Sequence, residues 1–361
     1  MKKKIFALLV VCAFVLNGVG TVLADTNTKK SVQQRNQLAA LLPASDGVIN
    51  VNMQRLLSEA LPQILSGNQP MLNGILGKFD EVKAQTGIDL RQFEQFAIGV
   101  TTKTVSAKKM DFEPVLLARG SFNPGAVLAM AKIAASSAKY REEKIGDKTV
   151  YIFSSKKNLP DNNPQTGKTS VLVPGSVLVP GLGIIISSDW LKHFSHELAV
   201  TSFDANTLAV GSLSRVRELL QSKTRVAADV LELVNRKPNA IMSFGAKLPN
   251  GMSALVNLEN DELGKNLDAI RQISGAVDVT DGSATISLMA RTLKPEQAKG
   301  LQETLQGLQA FLPSILGGSK GVDKKVYARV LENLTISQSG SDVMLDARIP
   351  KSDIDILIGV K

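Results

Sequence analysis

The chain holds two histidines, His193 and His196, three residues apart with Glu197 beside the second. Residues three apart share a face of a helix, so the two imidazoles are placed to hold one metal ion. No third ligand is visible in the sequence. The zincin spacing, two histidines four apart with an intervening glutamate, is absent. His193 and His196 are the metal candidates, set against a reading as a solvated pair beside Trp190. Ser45-Asp46 offers a serine beside a carboxylate, but turn chemistry ahead of a strand explains that pair more simply. Gly181-Leu182-Gly183 is the one hint of a phosphate loop. It leads into an apolar strand, so no helix N-terminus is on hand for the phosphate. Asp261-Glu262 and the Asp353/Asp355 pair read as caps or dipole partners of helix starts. No cofactor is implied. The sequence favours a non-enzymatic protein, with an unrecognised hydrolase site as the alternative.

The N-terminus says where such chemistry would operate. Lys2-Lys3-Lys4 precede an apolar run from Ile5 to Leu16, then Asn17, Gly18 and Gly20, then Val22-Leu23-Ala24. Basic, apolar and small segments in that order form a secretory signal peptide over residues 1–24, cleaved near Ala24. The expectation is an exported protein, periplasmic or extracellular. Cleavage removes three lysines and no acid, leaving 337 residues and lowering the formal net charge from +9 to +6. Cys12, the single cysteine, leaves with the signal, so the mature chain has neither disulfides nor thiolate ligands. Its stability must come from its core.

Basic residues are scattered in pairs such as Lys108-Lys109 and Lys324-Lys325. Without a basic block or interleaved aromatics, nucleic acid is not an expected partner. The positive balance favours weak contact with an anionic membrane surface. Aromatic residues make up 4% of the chain, which argues against the stacking platforms of carbohydrate binders.

The elements that must position any site read as follows. Residues 25–37 form a polar leader. Val48–Val51 is a strand and Gln54–Leu65 a helix. A second helix runs from Met71 to about Gln85, with Gly87 as its stop. Phe93–Thr102 and Pro114–Gly120 are strands. Asn123-Pro124 caps and opens an alanine-rich helix. A hairpin over 140–153 turns at Gly146-Asp147. Residues 154–182 change to Ser, Lys, Asn, Pro and Gly, with Val171-Leu172-Val173-Pro174-Gly175 recurring at 177–181, and read as a mobile insertion. A strand at 183–186, a short helix from Ser188 to about Leu198, a strand at 207–211 and a helix at 213–222 follow.

Further on come a helix at 226–235, a strand at 240–246 and a helix at 262–272. The hairpin over 276–291 has alternating apolar and polar residues, the pattern of an antiparallel sheet with one buried face. Ala298, Leu301, Leu305, Leu308 and Leu312 form one apolar stripe on a helix opened by Pro295. Gly317–Gly321 is a flexible link. A short helix, a hairpin over 334–348 turning near Gly340 and a final helix from Pro350 complete the chain.

Three strand ends repeat: Ala118-Arg119 before Pro124, Ala290-Arg291 before Pro295, Ala347-Arg348 before Pro350. The expected fold class is α+β, in two related halves, 38–222 and 223–361, each an antiparallel sheet with helices packed on one face. The first half carries the insertion. The stretches LLPASDGVINVNMQRLL (41–57), TGIDL (86–90) and TLAVGSLSRVRELL (207–220) resemble a loose class of exported bacterial proteins of unknown function built from repeated strand–helix units. The resemblance implies an envelope location and carries no functional residues. The expected role is binding or scaffolding at the envelope, with a small ligand or an envelope protein as partner. A structural assembly partner is a further alternative.

Overall fold

A computed structural model describes residues 37–106, 109–134, 140–154, 197–250, 253, 262–280, 282–317 and 322–359, and the statements below concern those residues. The expected signal peptide, nearly all of the expected leader, the expected insertion past Ser154, the expected 183–186 strand and most of the expected 188–198 helix lie outside them.

Twelve strands form one antiparallel sheet. They are β1 (Gly47–Asn52), β2 (Phe93–Ser106), β3 (Lys109–Gly120), β4 (Tyr140–Ile145), β5 (Lys148–Ser154), β6 (Glu197–Asp204), β7 (Thr207–Ser212), β8 (Met242–Lys247), β9 (Ile270–Thr280), β10 (Ser283–Thr292), β11 (Thr335–Ser339) and β12 (Asp342–Ile349). Their order is β11-β12-β10-β9-β8-β1-β2-β3-β7-β6-β5-β4. The described helices are α1 (Gln69–Thr86), α2 (Pro124–Ala134), α3 (Leu213–Gln221), α4 (Ala228–Val234), α5 (Glu262–Ala269), α6 (Pro295–Gly317), α7 (Val322–Glu332) and α8 (Lys351–Leu357). A helical segment of mixed pitch, with a π turn over Leu56–Ala60, follows β1.

The α+β antiparallel architecture is the expected one, with two differences. The two sheets are joined edge to edge through β1 and β8 into one. In addition, helices occupy both faces of the first half. Side chains alternate across a strand, so Val48, Ala97, Val115, Leu117 and Ala209 share one face, under Leu219 of α3 and Val230 and Val234 of α4. Val51, Phe96, Ile98, Leu116 and Leu208 share the other, with Leu128 of α2. In the second half the apolar face of β9, β10 and β12 lies under α6, α7 and α8. Its opposite face is left largely to polar side chains. Helix α4, on the second-half side of the 222/223 boundary, lies across the seam, over β1 of the first half and β8 of the second.

Local signals placed most elements. Asn123 Oδ1 accepts from the N–H groups of Gly125 (2.8 Å) and Ala126 (3.3 Å) at the start of α2. Gly87 ends α1 at φ 68°, a left-handed value that glycine adopts without strain. Two expected helices run too far. Glu197-Leu198 begin strand β6, and Ile270-Arg271-Gln272 begin β9. Ile270 continues the spacing of Leu263 and Leu267, so helical periodicity runs into the strand, where pairing with β10 wins.

The strand order repeats outward from the centre, as β1-β2-β3-β7-β6 on one side and β8-β9-β10-β12-β11 on the other. The register repeats as well. Gln95 faces Arg119 and Phe93 faces Gly120, with Glu94 bulged out between them. Gln272 faces Arg291 and Ile270 faces Thr292, with Arg271 bulged out. Between β1 and β8 the pairs are arranged symmetrically about Ile49 and Phe244. The third Ala-Arg, at 347–348, lies in β12, the counterpart of β7, and has no equivalent in the first half.

Candidate functional site

A polar cleft of ≈ 480 Å³ opens where the start of β1, the end of β8 and the first turns of α3 meet. It lies within the roughly 300–1,000 Å³ range typical of ligand sites. The chain enters it beneath a short helical turn at 37–40, whose Leu38 is fully buried, as is Leu42 just beyond it. Pro43 bridges to Arg225, and Val226 N–H donates to Leu42 O at 3.2 Å, tying the strand that leads into β1 to the loop after α3.

Asp46 extends β1 by one residue. Its N–H donates to Val100 O (2.9 Å) and its C=O accepts from Lys247 N (2.8 Å). The Asp46 carboxylate accepts from Thr102 N (2.8 Å) and Thr102 Oγ1 (2.9 Å), which makes it a structural cap. Ser45 Oγ donates to Pro43 O at 2.9 Å and accepts from Arg215 Nη2 at 2.9 Å. A guanidinium cannot take a proton, so this arrangement gives Ser45 no base. Ser45 bonds back to Pro43 O as turn chemistry would, but Asp46 pairs in the sheet and not in a turn.

Arg215 is the centre of the cleft wall. It sits in the first turn of α3, where Ser212 Oγ accepts from its N–H at 3.4 Å, and it is 3% exposed. Nη2 also donates to Ala44 O (2.9 Å), and Nη1 to Glu218. Its Nε–H is buried without a partner. An unmatched buried donor costs about 1–3 kcal/mol.

Three more cations line the cleft. Lys103 pairs with Glu113 at 2.7 Å, and Lys247 with Asp229 at 2.7 Å. That lysine's hydrogen bond holds the Asp229 carboxyl below the usual carboxylate range. Arg225 differs. Its Nη1 donates to Ser222 O (2.7 Å) and Thr224 O (3.4 Å), and among the described residues it has no carboxylate partner. With the hydroxyls of Thr101 and Ser214 nearby, the arrangement offers donors suited to a carboxylate or phosphate oxygen.

Sequence reasoning passed over Arg215 and Arg225, reading 213–222 only as a helix. The available signal was Arg215's position four residues before the buried Leu219, on the same stripe. The other sequence candidates fall elsewhere. His193, His196 and Gly181–Gly183 lie outside the described residues. Among those described, no group of three His, Cys, Asp or Glu is placed to hold a metal ion. Asp353, in the first turn of α8, is 6% exposed and paired with Arg329, and Asp355 of the same helix pairs with Lys351, so both act as ion-pair partners. Gly317-Gly318-Ser319-Lys320-Gly321, read from the sequence only as a flexible link, has the letters of a nucleophile elbow, but it follows helix α6, not a strand, and Ser319 lies outside the described residues. A smaller hollow of ≈ 110 Å³ on the polar face of the second half is lined by Ser274, Ser287, Met289 and Met344 beside Arg236 and Lys237.

No family model matches the chain, and no curated protein matches it. Among described helices, none is long and apolar enough to cross a membrane. Solved structures similar to it include those of TP0453. Crystal form III aligns at a TM-score of 0.40 and 11% identity, over 90% of this chain and 98% of that one. Crystal form I aligns at 0.39 and 10%, over 89% and 96%.

Proposed function

We propose that this chain is an exported, non-enzymatic binding protein whose Arg215 cleft takes a small ligand bearing a carboxylate or phosphate group. The observation that carries the reading is the cleft itself. It gathers four cations beside three carboxylates, Asp46, Glu113 and Glu218; among the described residues Arg225 has no carboxylate partner and Arg215 holds an unpaired Nε–H. The basic, apolar and small segments at residues 1–24 support the exported part of this reading. The matched bulges at Glu94 and Arg271 support an origin of the two halves in one duplicated strand–helix unit. The cleft belongs to the first half and its surroundings, because α3 and the 37–46 segment have no counterpart on the same face of the second.

The test is thermal denaturation of the chain starting at Asp25, with inorganic phosphate, succinate and a neutral polyol as probes. Either anion is expected to raise Tm in a saturable way while the polyol does not. Arg225→Ala is expected to remove that response while leaving Tm in plain buffer within a few degrees, because Arg225 holds only backbone carbonyls. A Tm unmoved by both anions overturns the reading.

A further inference from the structure

The two outer strands of the sheet differ in chemistry. β4 reads Tyr-Arg-Glu-Glu-Lys-Ile, and its charges are engaged along the edge: Arg141 bonds Glu197 at 3.0 Å, and Glu143 accepts from Arg217. Such an edge resists addition of another strand. β11 reads Thr-Ile-Ser-Gln-Ser, and from Asn333 to Ser341 there is no charged residue and no proline. In the repeated strand order β11 corresponds to β6, and β6 carries a further strand, β5, on its outward side. Nothing among the described residues occupies that position beside β11. Leu293, 61% exposed, sits beside the same edge's turn: its neighbour Thr292 donates its N–H to Ser341 O at 2.9 Å.

We infer that β11 is a self-association edge, pairing antiparallel with β11 of a second copy of this chain about a twofold axis to make one sheet continuous through two molecules. Self-complementarity decides for a second copy. A centred β11 pair sets Thr335 against Ser339, Ile336 against Gln338, and Ser337 against Ser337, with no like charges opposed. The same operation on β4 sets Arg141 against Lys144 and Glu142 against Glu143, which is repulsive. Five residues per strand bury less than the ~1,200–2,000 Å² of a stable complex, so the dimer is weak and concentration-dependent.

Sedimentation velocity on the chain starting at Asp25, from about 5 µM to about 500 µM, tests this. A monomer–dimer equilibrium is expected. Ser337 lies in register with Met344 on the polar face, so a charge there is compatible with the fold. Ser337→Lys and Ser337→Glu are each expected to raise the dimer Kd at least tenfold, and an equimolar mixture of the two to restore dimer. Amide exchange at 335–339 in the unmodified chain is expected to slow as concentration rises, a readout independent of any variant. A monomer at every concentration, or a dimer indifferent to both substitutions with no concentration dependence in those amides, overturns the inference.

Discussion

Gly99 lacks a side chain where Ser45 needs the room: a Cβ there would stand 2.5 Å from Ser45 Oγ. Gly99→Ala must push Ser45 from Arg215 and loosen the one hydroxyl among the described residues that is bonded to that guanidinium. The expected cost is about 1–3 kcal/mol in urea denaturation, together with a weaker anion response. A second single-residue effect is electrostatic. Arg291, and then Arg236, hold the Asp342 carboxyl below the usual carboxylate range. A depressed acid contributes stability in full above its unfolded value of about 3.9 and loses it as pH falls through the lower folded value. Asp342→Asn is therefore expected to cost about 1 kcal/mol at pH 7, with the difference from the unmodified chain closing as the pH is lowered through the carboxylate range. Denaturation midpoints at pH 7 and across that range check it. Asp278 runs the other way, because burial outweighs Arg55 and raises its pKa. Its ionised form weighs against folding, and acid relieves that penalty.

At the scale of elements, close backbone approach replaces side-chain packing where α4 crosses β8. A Cβ on Gly245 would lie 2.5 Å from Leu233 Cβ and 2.9 Å from Val234 N. The second of these is backbone and cannot swing aside. Gly245→Ala is expected to destabilise by ~2 kcal/mol or more, visible as a lower chemical-denaturation midpoint with the helical signal retained below it. Hairpins and capped helices were legible in the sequence, because period-two alternation, glycine turns and Asn-Pro starts are local. Strand β6 was not: Glu197-Leu198-Ala199 has no polar alternation at its start, and its pairing with β5 spans residues beyond Ser154. The site was half legible. The local side-chain bond of Ser45 to Pro43 O is the kind of turn chemistry read there, whereas the sheet pairing of Asp46 was not read. Arg215 was missed because burial of an arginine depends on Ala44 O and Ser45 Oγ arriving from 170 residues away.

For the whole molecule, the feature least visible in sequence is the β1–β8 seam, since no local pattern says which distant edge a strand will meet. The seam makes the halves interdependent. α4 covers Val48 and Ala97 of the first half, and β8 supplies the second side of β1. A fragment ending at Ser222 lacks both and leaves an apolar central strand with an open side. It is expected to aggregate where the full chain does not, as read by light scattering after size-exclusion chromatography.

That seam also sets an order of events. β1 lies near the front of the chain and β8 almost two hundred residues behind it. A chain delivered N-terminus first therefore waits, with β1 incomplete, until most of its length has arrived. Closing so long a loop is slow, and an unsatisfied strand is adhesive while it lasts. The centre of the sheet, the best-protected part of the finished protein, is thus among the last to become safe, and the time between the arrival of β1 and of β8 is when this protein is most exposed to misassembly.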